Sequence, residues 1–164
     1  MILDYKGTNL HVYGTHMQSD DEGCANGEAA EVRARNVEYW RSYIDDTKVP
    51  ANELIILAGD FNIEKNTSEF YSFLTNFQVD QPVSYQGHPH TLDTDDNSIA
   101  RYKKGPSEYL DYVLLDKKHR AGVKSLTQNV LRVKTNSFQL GAGSYNDYSD
   151  HYPVHALIEV DLQK

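Results

Sequence analysis

Six side chains able to perform acid–base or metal chemistry stand at predicted strand ends or at strand–loop junctions. They are His16, Asp60, Asn62, Asp111, Asp150 and His151. A histidine that removes a proton needs a carboxylate that fixes its tautomer and stabilises the imidazolium. Asp111 is the natural partner for His151, while Asp60 and Asn62 could orient a water and a substrate oxygen. A second histidine could donate a proton or hold a developing negative charge.

The segment Leu54–Asn62 is the element around which these residues are organised. Five consecutive apolar residues, from Leu54 to Ala58, are followed by Gly59. This short run predicts a buried strand, of the kind found where both faces of a sheet are covered. Asp60 and Asn62 are two residues apart, so in an extended chain their side chains point to the same side. They would lie at the carboxyl end of the strand, where open α/β sheets place active sites. The alternative is a polar turn with Asn62 as a turn residue.

An alternating pattern over residues 10–16 predicts another strand. Leu10, Val12, Gly14 and His16 share one face of it, which places His16 on the apolar side. A lone histidine there is more often a packed, hydrogen-bonded residue than a catalyst.

Two helices are predicted between and after these strands. The first runs from about Glu28 to Asp46, with a core-facing stripe of Ala30, Ala34, Val37, Trp40 and Ile44. The second is short and capped by Thr67, with one face of Phe70, Phe73, Leu74 and Phe77. The order strand, helix, strand, helix implies a sheet with helices on it.

The second half of the chain contains a long segment without clear periodicity and then further strands. Residues 78–108 predict an irregular loop; its acidic run resembles an EF-hand, but Ser98 and Lys104 replace the required glycine and glutamate. The segment 109–115 predicts a strand that places Asp111 on an apolar face, where a carboxylate needs a partner. Residues 123–134 predict one or two strands, and 154–162 a half-covered strand.

Composition limits the classes of function. A chain of 164 residues is long enough for one domain with a real core, and its formal charge of −8 argues against general nucleic-acid binding. We expect no secretory signal in the first residues, because Asp4 interrupts them, and no apolar run is long enough to span a bilayer. The single cysteine, Cys24, is either a free thiol or half of a bridge to a residue outside this sequence.

Three motifs, in this order, resemble those of the endonuclease/exonuclease/phosphatase superfamily, which includes DNase I-like nucleases, inositol-polyphosphate phosphatases and neutral sphingomyelinases. The motifs are Gly59–Asn62, Leu110–Tyr112 and Ser149–His151. Within the superfamily the chain is most similar to bacterial sphingomyelinase C, because Gly14–Gln18 and Tyr145–Val154 also resemble segments of those enzymes.

The resemblance implies an α/β fold that is half of a four-layered, DNase I-like α/β sandwich, with a mixed β-sheet and helices on one face. Residues 1–164 would be the C-terminal part of a single domain, and the N-terminal half would carry the main glutamate ligand of the metal. We then expect one sheet with two helices, whose bare inner face would expose Val12, Ile56 and Val113. Such a chain would be inactive without its other half.

The resemblance also implies a chemistry, the hydrolysis of sphingomyelin to ceramide and phosphocholine with Mg²⁺. His151 would be the general base and Asp111 would orient it. Asp60 and Asn62 would position the water and the phosphate, with Asn62 and His16 contacting substrate. His16 would also stabilise the phosphoryl charge or assist the leaving alkoxide. Asp150 and Asp60 would hold the metal.

The partners implied by the resemblance are sphingomyelin in membrane surfaces and the missing half of the domain, with no nucleic acid. The location would be extracellular, and Cys24 would pair with an upstream cysteine. Some related toxins carry an exposed aromatic pair in a hairpin, for which this chain offers only Phe138 and Leu140. Two alternatives stay open, namely a nuclease or other phosphodiesterase of the same superfamily, and a segment that only maintains the fold.

Overall fold

The computed structural model describes residues 1–19, 27–64, 67–77, 83–87, 109–120, 122–131, 151 and 153–161. These residues form seven strands and two helices. In chain order the elements are β1 Ile2–Tyr5, β2 Thr8–His16, α1 Glu28–Asp46, β3 Leu54–Asp60, α2 Ser68–Phe77, β4 Val83–Gly87, β5 Asp111–Leu115, β6 Val123–Val130 and β7 Val154–Val160.

The first sheet has the strand order β1-β2-β3-β5. Strands β2 and β3 are parallel, whereas β1 and β5 run antiparallel to their neighbours. Ile55 and Leu57 of β3 pack with Val37 of α1 and Phe73 of α2 in one buried cluster. The predicted α/β class, with a mixed sheet and helices on one face, is therefore confirmed.

Strand β1 was not predicted from the sequence. Tyr5 pairs with Thr8, so a loop of only two residues, Lys6 and Gly7, joins β1 to β2. Both loop residues have positive φ, 54° and 84°, which is the backbone of the tight hairpin turn that matches strand twist. In the sequence, the signal for this hairpin is the pair Lys6 and Gly7 between two alternating segments.

Helix α1 has the predicted bounds, but its buried face differs from the predicted stripe. Val37 and Ile44 are buried as expected, while Ala34 is exposed and Ala30 only half-buried. Ala29 and Arg33 occupy the buried positions of the first turns instead. Apolar spacing missed this rotation because a charged residue, Arg33, faces the core and is paired there with a carboxylate from α2.

Helix α2 begins as predicted. The backbone N–H of Phe70 donates to the Thr67 hydroxyl oxygen at 3.1 Å, a side-chain cap at the helix start. Phe70, Phe73 and Phe77 are buried, which confirms three of the four residues of the predicted face. The side chain of the fourth, Leu74, lies outside the described residues.

A second sheet, of order β4-β6-β7, covers the other face of the first. Leu54 and Leu115 from the first sheet form a buried cluster with Val123 and Leu126 from β6. Ile56 packs against this cluster together with residues of β7, and Val12 and Val113 are half-buried. The expectation of a single sheet with a bare inner face is wrong, because the chain supplies its own second layer of strands.

The two sheets are also joined by a buried polar contact. Gln128 of β6 is fully buried, and its side-chain oxygen accepts a hydrogen bond from the backbone N–H of Val113 at 2.6 Å. A backbone donor on β5 is thereby satisfied by a side chain of the opposite sheet.

The long loop predicted for 78–108 is interrupted by β4, which pairs in parallel with β6. The rest of that segment, with its acidic run, lies outside the described residues, as do Cys24, Phe138, Leu140 and Asp150.

Neither described helix is both long and apolar enough to cross a membrane.

Candidate active site

Three of the candidate residues lie side by side across three neighbouring strands. The strand register pairs His16 of β2 with Asp60 of β3, and Asp60 with Asp111 of β5. Side chains of paired residues project from the same face of a sheet. Alternation along β3 makes this the face that carries Leu54 and Ile56, which is covered by the second sheet. The row therefore lies at one end of the interface between the two sheets.

Gly59 permits the close approach of β2 and β3 at this end. Its φ is 142°, and a Cβ there would lie 2.0 Å from the backbone oxygen of Thr15. Any other residue would push β2 away from β3 beside the His16–Asp60 pair. This glycine is therefore a requirement of the site geometry.

His151 joins the row from the segment before β7. Its Nδ1 lies 2.6 Å from Oδ2 of Asp111, and its Nε2 lies 3.8 Å from Oδ2 of Asp60. A carboxylate oxygen only accepts hydrogen bonds, so Nδ1 carries the proton and donates it to Asp111. In the neutral ring Nε2 is then the unprotonated nitrogen, and an unprotonated ring nitrogen is the condition for a general base.

Asp60 stands between the two histidines. Its Oδ2 lies 3.5 Å from Nε2 of His16, and its Oδ1 accepts a hydrogen bond from the backbone N–H of Asn62 at 2.8 Å. Burial raises the pKa of the Asp60 carboxyl, and the neighbouring Asp111 raises it further against the opposing effects of Asn62 and the two histidines. Its described surroundings therefore disfavour the charged form of this carboxyl.

The alternating pattern of β2 predicted a packed position for His16 on the apolar face, but the structure does not show this. Its side chain is 76% exposed at the last residue of β2. The residue with which it is paired in the sheet, Asp60, is nevertheless within ion-pair distance. An exposed imidazole beside a half-buried carboxylate is accessible to a ligand from solvent.

Of the two predicted arrangements of Asn62, the turn is present and the extended alignment with Asp60 is wrong. Its φ is 51°, in the left-handed region that asparagine tolerates, and its backbone N–H turns back to the Asp60 carboxylate. Its side-chain Nδ2 donates to the backbone oxygen of Met17 at 2.8 Å. Asn62 thus ties the end of β3 to the segment that follows β2.

With this geometry established, comparison with known proteins places the chain in a family. Residues 4–151 match the model of the Endonuclease/Exonuclease/phosphatase family. The chain belongs to this family.

Curated proteins that are similar to this chain are named as a phospholipase C or a sphingomyelinase C. The chain is 37% identical over 160 residues to "Phospholipase C" of Staphylococcus aureus and 36% identical over 163 residues to "Sphingomyelinase C" of Bacillus cereus. These alignments cover 94% and 92% of the chain but 48% of each relative. The chain therefore spans about half the length of the curated relatives it matches.

A solved structure with bound metal is also similar. It is a Staphylococcus aureus beta toxin mutant with bound magnesium ions, which has a TM-score of 0.78 and 34% sequence identity. The match covers 94% of this chain and 55% of the toxin chain. The similarity in fold thus extends over nearly all of this chain.

The family motif around Asp111 contains a supporting residue that residue-by-residue reasoning missed. Tyr112 is buried on the helix side of β5, and its hydroxyl lies 2.9 Å from the backbone oxygen of Ile63 and 2.5 Å from that of Tyr109. It holds the turn after β3 close to the start of β5. The sequence signal for this supporting role is the aromatic residue directly after Asp111, because successive side chains of a strand point to opposite faces.

The described residues also form a possible cation site. One ligand atom from each of Asp60, Asp111 and His151 lies within 4.8 Å of the others. However, the Asp111 and His151 atoms are 2.6 Å apart, whereas adjacent ligands of an octahedral Mg²⁺ are about 3 Å apart. That pair is better described as a hydrogen bond. Asp60, which offers a hard carboxylate oxygen, fits a divalent cation.

Proposed function

We propose that this protein is a metal-dependent phosphodiesterase of the sphingomyelinase C type, which hydrolyses sphingomyelin to ceramide and phosphocholine. The observation that carries the proposal is the position of His151 between Asp111 and Asp60, on a row that ends in His16. The names of the relatives support sphingomyelin as the substrate class. The charge of −8 does not favour the nuclease alternative.

In this proposal His151 removes a proton from the attacking water. Asp111 accepts the hydrogen bond from Nδ1, which leaves Nε2 as the basic atom. As the ring becomes an imidazolium, the Asp111 carboxylate stabilises its positive charge. The same carboxylate keeps the ring oriented towards Asp60.

His16 and Asn62 complete the protein's part of the reaction. The exposed His16 meets the phosphoryl group from the open side and stabilises its charge or assists the leaving alkoxide. Asn62 acts at the turn where it holds both the Asp60 carboxylate and the Met17 backbone, so its contribution to binding phosphate and water depends on that turn.

A divalent cation, with Mg²⁺ the best match, would be held by the glutamate that the resemblance implies in the N-terminal half, by Asp60, and by Asp150, which lies outside the described residues. When bound, such an ion neutralises charge on a phosphoryl oxygen as a Lewis acid. A neighbouring toxin structure contains bound magnesium ions, which supports this cofactor. Asp60 contributes a carboxylate oxygen, which is the kind of ligand that Mg²⁺ takes in proteins.

The substrate implies a place of action. Sphingomyelin is a membrane lipid, and one similar structure is named a toxin, which fits an extracellular protein acting on the membrane of another cell. We therefore propose an extracellular location and a membrane surface as the partner.

The test is release of phosphocholine from sphingomyelin vesicles, with Mg²⁺ and with a chelator, by the purified protein together with the N-terminal half of the domain that the resemblance implies; the chain alone is expected to be inactive. We expect turnover on sphingomyelin, little on phosphatidylcholine, none on DNA, and loss of activity on chelation. Cleavage of DNA without phosphocholine release would instead support the nuclease alternative. Inactivity on all three substrates in excess Mg²⁺ would support a role limited to maintaining the fold.

A further inference from the structure

Arg33 is a buried charge beside the candidate site with no part in the chemistry proposed above. It lies on α1 and is only 2% exposed. Its Nε and Nη2 donate to the two carboxylate oxygens of Glu69 on α2, at 2.5 and 2.9 Å. Its Nη1 donates to the backbone oxygen of Gln18 at 2.9 Å. One side chain thus connects both helices to the segment that leaves β2.

That segment, residues 17–19, follows His16 directly and is held at two further points. The Met17 backbone N–H donates to the backbone oxygen of Asp60 at 2.9 Å, and the Met17 backbone oxygen accepts from Asn62. The Met17 side chain is buried. His16 and residues 17–19 line a cavity of about 270 Å³, so the bond from Arg33 fixes one wall of a cavity that opens beside His16.

We propose that Arg33 is a positioning residue that holds His16 and the 17–19 wall in place for the substrate. This rests on the proposed function, because it is that function which assigns a role to His16. Arginine suits the task because its planar fork presents five donors in a fixed geometry, and here they serve a carboxylate and a backbone carbonyl at once. A lysine keeps the charge but cannot reproduce both contacts.

The test substitutes Arg33→Lys and compares it with Arg41→Lys. Arg41 is the matched control because it lies on the same helix and pairs with Asp116 and Asp45, beyond the opposite end of β5 from Asp111. We expect Arg33→Lys to lower kcat on sphingomyelin by about tenfold with KM within about twofold, since misplacement of a positioned group reduces turnover. Arg41→Lys should keep kcat per folded molecule within about twofold of wild type.

A second variant separates the two contacts of Arg33. Glu69→Gln removes the carboxylate charge but leaves the Arg33–Gln18 bond, so it should lower thermal stability while kcat stays within about threefold of wild type. A loss of kcat in Glu69→Gln equal to that in Arg33→Lys would show that the ion pair matters and the Gln18 contact does not, which overturns the proposal.

Methyl NMR reports on the segment independently of activity. The chain contains two methionines, Met1 at 72% exposure and Met17 at 2%, so a protein labelled with [¹³C-methyl]methionine distinguishes the buried reporter from the exposed one. We expect the Met17 resonance to shift in Arg33→Lys and to stay in place in Arg41→Lys.

An unshifted Met17 resonance in Arg33→Lys, or equal losses of kcat in the two lysine variants, would overturn the positioning role. If the wild-type protein releases no phosphocholine, the proposed function fails. The methyl spectra alone then decide whether Arg33 holds the segment.

Discussion

The substitution Asp60→Asn tests whether Asp60 is a metal ligand, because its effect on thermal stability should differ between the protein without metal and the protein with bound metal. In wild type, burial and Asp111 raise the Asp60 pKa above its unfolded value of about 3.9. A raised carboxyl pKa contributes stability that is fully present below the unfolded pKa and is lost as pH rises through the folded pKa. Without metal at pH 7, the variant should therefore be at least as stable as wild type. Its amide oxygen can still accept the Asn62 hydrogen bond.

With bound metal, wild type should instead be more stable than Asp60→Asn. A ligand at 100 times its dissociation constant stabilises the folded state by about 2.7 kcal/mol. For a chain of this size, 1 kcal/mol corresponds to a shift of about 2–4 °C in Tm, so wild type should gain roughly 5–10 °C with saturating Mg²⁺. The variant should gain almost nothing, because it lacks the carboxylate charge.

The assay is thermal unfolding followed by circular dichroism at pH 4 and pH 7, with and without Mg²⁺. Asp161→Asn is the matched control, since Asp161 is an exposed carboxylate paired with Lys124 on the second sheet. Its Mg²⁺-dependent gain should equal that of wild type. A full gain in Asp60→Asn would refute the assignment of Asp60 as a metal ligand, and a large loss of stability without metal would refute the account of its pKa.

Three further substitutions test the rest of the site. His151→Ala should reduce turnover by about 10²–10⁴-fold with an unchanged circular dichroism spectrum, and retention of a tenth of wild-type activity would exclude it as the base. Asp111→Asn should lower kcat by about 10²-fold or more, because an amide cannot stabilise an imidazolium, while the Mg²⁺ concentration for half-maximal activity stays the same. A large rightward shift of that concentration would make Asp111 a metal ligand instead. Gly59→Ala should cost roughly 3–5 kcal/mol in thermal unfolding because of its φ of 142° and the contact with Thr15, whereas Gly14→Ala, whose Cβ would meet no described atom within 4 Å, should cost much less.

Several features of the fold were determined by local sequence. The bounds of α1, the Thr67 cap of α2 and the buried strand ending at Asp60 were all predicted and are present. Each depends on periodicity, capping or a short apolar run, and these act between residues close together in the chain. The pairing of His151 with Asp111 was predicted by chemical complementarity, since a carboxylate on an apolar face requires a partner.

Other features were decided only by tertiary structure. The sequence pattern does not show that a second sheet covers Ile56, because that contact depends on how β6 and β7 pack, far along the chain. Nor does it show that Arg33 faces the core, since a charge is buried only where a partner such as Glu69 meets it from another helix.

The same distinction applies within the candidate site. The types of residue at positions 16, 60, 111 and 151 are properties of the sequence, but their adjacency comes from the register of three strands. A shift of one residue in any strand would turn its side chain to the helix face. The Asn62 side chain likewise does not point along the extended strand, because the chain turns at the end of β3. It donates instead to the backbone oxygen of Met17. The register of β2, β3 and β5 results from the packing of segments that are distant in the chain, and no local pattern in the sequence contains that information.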